Sequence, residues 1–110
     1  MILISHRGNL NGKQLNNENH PDYILRALVA GYNAEVDVWF IDGKFKLGHD
    51  KPQYSFPFYI FQNHFNKLWI HCKNIEAMVA LNEFPNKHLL NYFFHQEDDI
   101  TLTSKGYIWA

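Results

Sequence analysis

The chain has 110 residues, of which 46% are hydrophobic and 16% aromatic, so it can form one compact core and does not have the composition of a disordered protein. Its 10 basic and 11 acidic residues give a formal net charge of -1, which excludes the broad positive surface that nucleic acid or anionic lipid would require. The single cysteine, Cys72, excludes an internal disulfide framework, and we predict a buried, unreactive thiol.

The N-terminal segment is predicted to start inside the fold. Residues 1 to 5, MILIS, form a continuous apolar run, which is typical of a strand buried on both faces of a parallel sheet. The run is too short to span a membrane and carries no basic residues like those of a signal peptide, so we expect a cytoplasmic protein. The Asn-rich residues 9 to 20 that follow are predicted to be a loop.

A helix is predicted for residues 21 to 31. Pro21 suits the first helical position and Gly31 suits the end. The apolar residues recur at helical spacing, so one face of the helix is expected to be buried. The members of this face are Ile24, Leu25, Ala27 and Leu28.

A β-hairpin is predicted next along the chain. Residues 34 to 41 and residues 44 to 50 each alternate between apolar and polar types, and Asp42-Gly43 separates them. An Asp-Gly pair between alternating runs is the strongest short hairpin signal, because both residues accept the positive φ of a tight turn. The first arm is also expected to be a strand of the main sheet.

The second half of the chain is predicted to place one helix between two strands. Residues 67 to 73 and 88 to 94 read as strands, and residues 74 to 84 read as a helix with an asparagine N-cap. The aromatic residues 53 to 65 show no period and contain a proline, so we predict irregular structure there. The last segment, residues 99 to 110, is predicted to be extended.

The order of these elements is strand, helix, strand with hairpin, strand, helix, strand, strand. Alternation of this kind predicts an α/β fold, with right-handed crossovers around a mainly parallel sheet. All of residues 1 to 110 are expected to belong to a single domain, because no linker or repeat interrupts them.

Polar side chains collect at one predicted edge of this sheet. Glu35 and Asp37 are two residues apart along a strand, so their side chains point to the same side of the sheet. If this pair of like charges is buried there, it needs a cation. The alternative is an edge strand whose polar face contacts water. His6 and Arg7 end the first strand, and His49 ends the second hairpin arm, so three elements deliver polar groups toward one place.

Three ordered motifs give the chain a resemblance to a known family. HRGN at residues 6 to 9, NENHPDYILRALVAGYNAEVDVWFIDGKFKLGHD at residues 17 to 50 and WIHCK at residues 69 to 73 resemble the glycerophosphodiester phosphodiesterase family. The resemblance covers about the first two thirds of the chain. It implies a TIM (β/α) barrel of the phospholipase-C-like phosphodiesterase type, and metal-dependent cleavage of a phosphodiester to a phosphomonoester and an alcohol.

The resemblance also implies roles for individual residues. His6 and His49 match the acid/base histidines of the family, and Arg7 matches its phosphate-binding arginine. Lys73 matches a retained lysine that would also face phosphate. Two further residues, Glu18 and Asn19, match a Pro-Glu-Asn element that supports the site, although Asn17 replaces its proline.

The metal ligands implied by the resemblance include one departure from the family. Glu35 and Asp37 match its metal-binding carboxylates, but His71 stands where the family has a glutamate. The family resemblance implies Mg²⁺ or Ca²⁺, whereas an imidazole ligand favours Mn²⁺ or Zn²⁺. The alternative is that His71 only forms a hydrogen bond to a ligating carboxylate.

The chemistry of phosphodiester cleavage accounts for these residue types. The substrate is a stable anion, so its non-bridging oxygens need positive charge from a metal, from Arg7 and from Lys73. Two histidines can move the protons, one from the nucleophile and one to the leaving alkoxide. We expect the substrate to be a small soluble phosphodiester, and the resemblance implies a role in lipid metabolism. A phosphoinositide or sphingolipid substrate is a weaker alternative.

The length of the chain sets a limit on the resemblance. A closed barrel of this kind takes about 250 residues, so 110 residues match only about the first half, and we expect a truncated record of a longer enzyme. The alternative is a non-catalytic remnant or half-barrel that binds phosphate or metal, or that associates with a partner through exposed sheet edges. The acidic residues 95 to 100 are expected to be a solvated loop, and the remaining histidines are expected to be surface groups.

Overall fold

The computed structural model describes residues 4 to 8, 17 to 85, 87 to 94 and 101 to 109. Within these ranges, six side chains lie outside the description: those of Ser5, His6, Ile60, Thr101, Ile108 and Trp109. The predictions for residues 1 to 3, for most of the Asn-rich loop and for the acidic segment 95 to 100 therefore concern residues outside the described ranges.

The described chain contains eight strands, three α-helices and two 3₁₀ helices. The strands are β1 (Ile4–His6), β2 (Asn33–Ile41), β3 (Lys44–Leu47), β4 (Tyr54–Ser55), β5 (Leu68–Cys72), β6 (Asn91–Phe94), β7 (Thr101–Leu102) and β8 (Ile108–Trp109). The α-helices are α1 (Pro21–Val29), α2 (Phe58–Phe61) and α3 (Ile75–Asn82), and the 3₁₀ helices span Gln62–Lys67 and Lys87–Leu89.

Six of the strands form one mixed sheet whose central part is parallel. The strand order is β4-β3-β2-β5-β6, and β1 pairs with the start of β2. The β1–β2, β2–β5 and β5–β6 pairs are parallel, whereas the two pairs made by β3 are antiparallel. The prediction of an α/β fold around a mainly parallel sheet is therefore confirmed.

Helix α1 follows its sequence signals closely. Pro21 is its first residue, and the His20 ring accepts a hydrogen bond from the Asp22 backbone N–H as the N-cap. This cap was not predicted, since His20 was expected to be a surface group. The predicted apolar face is buried at three positions and partly buried at Leu25; the buried residues are Ile24, Ala27 and Leu28.

The predicted hairpin is also present. Asp42 and Gly43 connect β2 to β3 with φ values of 53 and 77 degrees, and this pair of positive φ values is what a tight hairpin turn needs. The register pairs Ile41 with Lys44 and Phe40 with Phe45, and it stacks the two phenylalanine rings edge to face. The hairpin thus fixes which residues of β2 lie on each face of the sheet.

Two segments differ from their predicted structure. Residues 53 to 65 are not irregular but form β4, α2 and most of a 3₁₀ helix, because their aromatic rings pack on one another; Phe61 and Phe65 are buried in this cluster. Residues 101 to 109 are not one extended segment but a β7–β8 hairpin. Gly106, with a φ of 85 degrees, lets the chain reverse there.

The hairpin of β7 and β8 covers part of the outer edge of β6. The Ser104 backbone N–H donates to the Tyr92 carbonyl at 2.8 Å, and the Tyr92 N–H donates to the Ser104 hydroxyl at 2.9 Å. Association through open sheet edges was expected for a partial barrel. At Tyr92 this edge is occupied by the chain itself, so it cannot pair there with another chain while these bonds persist.

The two faces of the central sheet differ in chemistry because strand side chains alternate. Val36, Val38 and Ile70 are buried in the main apolar core together with residues of α1 and α3. The opposite face carries Glu35 and Asp37, which are also buried, at 1% and 0% exposure. The core therefore lies on one side of β2, and a buried polar group lies on the other.

Asn74 joins the end of β5 to the start of α3. Its side-chain oxygen accepts hydrogen bonds from the N–H groups of Ala77 and Phe40, and its amide donates to the Phe40 carbonyl at 3.1 Å. The side chain thus caps α3 and also extends the pairing of β2 beyond the end of β5.

Replacement of Asn74 by Ala is expected to destabilise the fold by about 1–3 kcal/mol, because a helix cap is lost and two backbone groups of Phe40 lose a partner. Urea unfolding of Asn74→Ala, Asn74→Asp and wild type measures this loss. Asn74→Asp should retain the cap and lose less, and Asn63→Ala, at an exposed asparagine, is the control. An Asn74→Ala variant as stable as Asn63→Ala would contradict the assignment.

Candidate metal and phosphate site

The polar group on the second face of the sheet is built by strand register. In the parallel ladder Glu35 lies opposite Trp69, and Asp37 lies opposite His71 on β5. On the other side of β2, the backbone of Glu35 lies opposite that of His6 at the end of β1. The carboxyl ends of β1 and β5 therefore flank the middle of β2 at this place, and the carboxyl ends of parallel strands are where α/β proteins build their sites.

Asp37 is the centre of the group. Its Oδ2 oxygen accepts a hydrogen bond from the Asn19 amide at 2.9 Å and lies 3.0 Å from Arg7 Nε, and its Oδ1 oxygen lies 3.1 Å from His71 Nδ1. Burial by itself would raise the pKa of Asp37. The hydrogen bonds from His71 and Asn19 and the charge of Arg7 outweigh burial and lower the pKa well below its ordinary value, so Asp37 is a carboxylate at neutral pH.

The pKa of Glu35 is shifted in the opposite direction. Its pKa is raised well above the ordinary value, first because the side chain is buried and next because the negative charge of Asp37 is close by. Two acidic side chains thus share one dry site in which the second negative charge is disfavoured. A bound cation would remove this conflict.

Glu35, Asp37 and His71 can hold a divalent metal ion. Each offers one ligand atom, and these atoms all lie within 4.8 Å of one another. His71 Nδ1 lies 3.9 Å from Glu35 Oε1 as well as 3.1 Å from Asp37. Two carboxylate oxygens and one imidazole nitrogen facing a common centre, with both carboxylates buried, make a donor set that fits a divalent ion.

The raised pKa of Glu35 predicts a specific pH dependence of stability in the metal-free protein. As the pH rises above the ordinary value of 4.5, the unfolded chain releases this proton while the folded state still retains it. The folded state consequently loses stability with rising pH until the native pKa is passed. Glu35→Gln cannot titrate and lacks this contribution.

We therefore expect Glu35→Gln to gain stability relative to wild type as the pH is raised from about 4 to about 8 in the presence of a chelator. Urea unfolding at several pH values measures the difference. Glu83→Gln makes the same exchange at an exposed glutamate and is the control. A constant difference between Glu35→Gln and wild type over this range would disprove the raised pKa.

Arg7 is held in place by its backbone and by its side chain. Its φ of 55 degrees lies in the left-handed region, its N–H donates to the Glu35 carbonyl at 2.8 Å, and its carbonyl accepts from the Asn19 N–H. Its guanidinium donates to Glu18 Oε1 at 3.1 Å and lies 3.3 Å from His49 Nε2. A rare backbone conformation held by this many partners is typical of a functional site.

Glu18 and Asn19 lie behind the arginine and the aspartate. Glu18 is buried beside Arg7, and Asn19 also has a positive φ, 65 degrees. The Asn19 side chain brackets Asp37, because its oxygen accepts from the Asp37 N–H and its amide donates to the carboxylate, both at 2.9 Å. The two residues thus hold the orientations of Arg7 and Asp37.

His49 lies at the mouth of the site. Its Nδ1 is 3.4 Å from Asp37 Oδ2, and its Nε2 is near Arg7. Nε2 also lies 3.7 Å from Asp50 Oδ1, so the ring stands between two carboxylates and the guanidinium.

Gly48 is a residue that the sequence analysis missed. Its N–H donates to the Asp37 carbonyl, and its own carbonyl accepts from the Trp39 indole at 2.6 Å. A Cβ atom at this position would lie 1.9 Å from the Lys51 carbonyl oxygen, so no other residue fits without a backbone shift. The glycine directly before His49 was the available signal.

A cleft of about 360 Å³ opens from Arg7 and His49 toward the surface. The residues of the described ranges that line it are all of polar type: Arg7, Glu18, Asn19, His49, Asp50, Lys51 and Gln53. The polar groups of these residues can bind a hydrophilic ligand. Lys51 and Gln53 were not singled out from the sequence, because nothing local distinguishes them from other exposed polar residues.

One of the residues implied by the resemblance, Lys73, is not brought into this group, and a second, His6, can be placed only by its backbone. Lys73 donates its backbone N–H to the Val38 carbonyl and does not line the cleft, and its ammonium forms no ion pair with any carboxylate of the described ranges. The side chain of His6 lies outside the description, so only its backbone position beside Glu35 is known. Cys72 is buried as predicted, and burial raises the pKa of its thiol to about 12.

Comparisons with known proteins found no matching family model, no matching curated protein and no matching solved structure. Among the helices of the described ranges, none has the length and apolar character needed to cross a membrane.

Proposed function

We propose that the protein is a metal-dependent phosphoric diester hydrolase that resembles the glycerophosphodiester phosphodiesterases. The observation that carries the proposal is the meeting of Arg7, Glu35, Asp37, His49 and His71 around one place, where the carboxyl ends of β1 and β5 flank β2. These are five of the residues for which the sequence motifs imply phosphodiesterase roles. A chain that only needed a stable core would not require two buried carboxylates beside an arginine and two histidines.

The strand order supports a barrel as the complete fold. The parallel strands β1, β2, β5 and β6 are neighbours in the order in which they occur along the chain. A TIM barrel adds its strands in this way, whereas a doubly wound sheet reverses direction part of the way through. We infer that these four strands are the first half of a barrel whose interior carries the site.

The residues of the site match the needs of diester hydrolysis. Arg7 would hold a non-bridging phosphate oxygen with guanidinium N–H groups that remain after its contacts with Glu18 and Asp37. A divalent ion on Glu35, Asp37 and His71 would supply further positive charge to the phosphate oxygens. Asn19 and Glu18 keep the carboxylate and the guanidinium aimed at the same place.

Proton transfer falls to the histidines. As a water oxygen forms its bond to phosphorus and the bond to the alcohol oxygen breaks, one proton leaves the water and another must reach the departing alkoxide. His49 lines the cleft beside Arg7, and its Nδ1 lies 3.4 Å from Asp37 Oδ2, so it can carry out one of these transfers. By resemblance, His6 carries out the other.

The polar cleft favours a small hydrophilic diester as substrate. The described residues that line it all carry charged, amide or imidazole groups, so a small hydrophilic diester would find hydrogen-bond partners beside Arg7 and His49. This supports a soluble glycerophosphodiester-like substrate.

Hydrolysis of bis(p-nitrophenyl) phosphate by the 110-residue chain tests the proposal, with Mg²⁺, Ca²⁺, Mn²⁺ or Zn²⁺ added singly. We expect release of p-nitrophenol that depends on the metal and that stops when a chelator is added. If the chain binds metal and inorganic phosphate but releases no p-nitrophenol with any ion, the hydrolase proposal for this chain is wrong, and a binding role replaces it.

A further inference from the structure

We propose that His71 makes the site selective for a divalent ion of the first transition series, Mn²⁺, Co²⁺ or Zn²⁺, over Mg²⁺ and Ca²⁺. The inference rests on the metal-binding part of the proposed function and does not depend on whether the chain hydrolyses a diester. It concerns the one position where the ligand set departs from the all-carboxylate set that the resemblance implies.

The position of His71 follows from the β2–β5 register. His71 is the direct cross-strand neighbour of Asp37, and its Nδ1 atom is the nitrogen that faces the carboxylates. Nδ1 lies 3.1 Å from Asp37 Oδ1 and 3.9 Å from Glu35 Oε1. One nitrogen and two oxygens thus point toward a shared centre, with one donor atom from each residue.

The imidazole ring is oriented before any ion arrives. Phe93 on β6 is the cross-strand neighbour of His71, and it is fully buried. The two rings stack with centroids 5.2 Å apart and planes inclined by 11 degrees. This stacking limits rotation of the histidine, so Nδ1 stays aimed at the carboxylates and little ordering entropy is lost on binding.

The Asp37 carboxylate is oriented in the same way. Asn19 and Arg7 contact Oδ2, which leaves Oδ1 on the side of His71. The Asn19 side chain is buried and also accepts from the Asp37 backbone N–H, so the carboxylate cannot rotate without breaking both contacts. Partners that fix a ligand from behind in this way strengthen a metal site.

This donor set discriminates between classes of ion. Mg²⁺ and Ca²⁺ prefer oxygen ligands, and Ca²⁺ takes six to eight of them, whereas the first-row transition ions accept imidazole readily. Three protein donors leave coordination positions for water and a phosphate oxygen, as in catalytic rather than structural sites. A site built only to hold Mg²⁺ or Ca²⁺ would gain from an oxygen donor in place of the His71 nitrogen.

Metal titrations of the full 110-residue chain test this selectivity without reference to activity. Isothermal titration calorimetry with Mn²⁺, Zn²⁺, Mg²⁺ and Ca²⁺ should give affinities for the first two that are on the order of 100-fold higher. The visible absorption of added Co²⁺ reports the ligands directly and should lose its imidazole contribution in His71→Gln. Asp37→Asn should abolish the same Co²⁺ spectrum. This result distinguishes Co²⁺ bound at this site from Co²⁺ bound by other histidines of the chain.

The matched variant is His71→Glu, which restores an all-oxygen set. It should bind Mg²⁺ and Ca²⁺ more tightly than wild type and reduce the preference for transition ions by about tenfold or more. His88→Glu makes the same exchange at an exposed histidine and should change neither affinity. Circular dichroism establishes that each variant is folded.

Two results would overturn the inference. Equal or tighter binding of Mg²⁺ or Ca²⁺ by wild type would show that His71 does not set the preference, and this comparison requires no variant. An unchanged Co²⁺ spectrum in folded His71→Gln would show that the imidazole only forms a hydrogen bond to Asp37. Either result leaves diester hydrolysis open to its own test, whereas transition-metal binding without hydrolysis would reject only the hydrolase proposal.

Discussion

Replacement of Asp37 by Asn is expected to lower metal-dependent diester hydrolysis by at least about 10³-fold. Asp37 is the residue at which the metal donors and the phosphate-binding group meet, because it contacts His71 through one oxygen and Arg7 and Asn19 through the other. The exchange removes the negative charge while keeping nearly the same shape. Metal affinity should fall together with activity, and calorimetry measures the first while p-nitrophenol release measures the second.

The same variant should also be less stable at neutral pH. Asp37 is fully buried and lies against Arg7, so loss of its charge leaves the guanidinium with Glu18 as its remaining anionic partner among the described residues; we expect a cost of about 1–3 kcal/mol. Because the pKa of Asp37 is lowered in the folded state, its stabilisation is present above the ordinary value of 3.8 and is lost as the pH falls below that value. The difference between wild type and Asp37→Asn should therefore shrink on acidification.

Asp42→Asn is the matched control for both measurements. Asp42 is exposed at the hairpin turn with a φ of 53 degrees, a conformation that Asn also adopts easily. The Asp42→Asn exchange removes one carboxylate from the β2–β3 turn and leaves the site unchanged. If Asp37→Asn and Asp42→Asn have the same activity, metal affinity and stability, then Asp37 does not join the metal donors to Arg7.

Exchange of His49 for Ala is expected to lower turnover by at least about 100-fold while leaving the fold intact. The ring lies at the mouth of the cleft, 40% exposed, with Asp37 behind Nδ1 and Arg7 near Nε2, so its removal takes away a proton carrier and little packing. Steady-state hydrolysis measures the loss of rate, and circular dichroism establishes that the variant is folded.

His49→Ala should differ from Asp37→Asn in its metal affinity. His49 is not one of the three residues whose donor atoms converge, so calorimetry should give wild-type affinity for Mn²⁺ or Zn²⁺. His88→Ala, at an exposed histidine, should keep full activity. Undiminished turnover in His49→Ala would remove this residue from the mechanism, and lost metal binding would move it into the ligand set.

Several features of the protein could be predicted from the sequence because their causes are local. The Asp42-Gly43 turn depends on the φ angles that two residues accept, and the limits of α1 and α3 depend on a proline, caps and apolar spacing within a few turns. The common direction of Glu35 and Asp37 follows from the alternation of a strand. None of these features requires knowledge of what lies across the sheet.

The aromatic segment 53 to 65 shows where local reasoning failed. It has no apolar period, yet it forms helical turns, because Phe58 and Phe61 pack against rings brought from the β2–β3 hairpin and from the neighbouring Phe56. Tertiary contact selected a conformation that the segment does not specify by itself. The reversal at Gly106 was missed because one glycine is a weak turn signal.

The sequence by itself determined α1, α3, the β2–β3 hairpin, the α/β class and most of the residues with the right chemistry for a site. Only the tertiary structure decided that β2 lies between β1 and β5, that Asp37 therefore meets His71 and Arg7, and that Asn19 and Phe93 hold these groups in position. The reason is the range of the interactions: turns and caps are fixed by neighbours along the chain, whereas strand register and side-chain convergence depend on contacts between residues tens of positions apart.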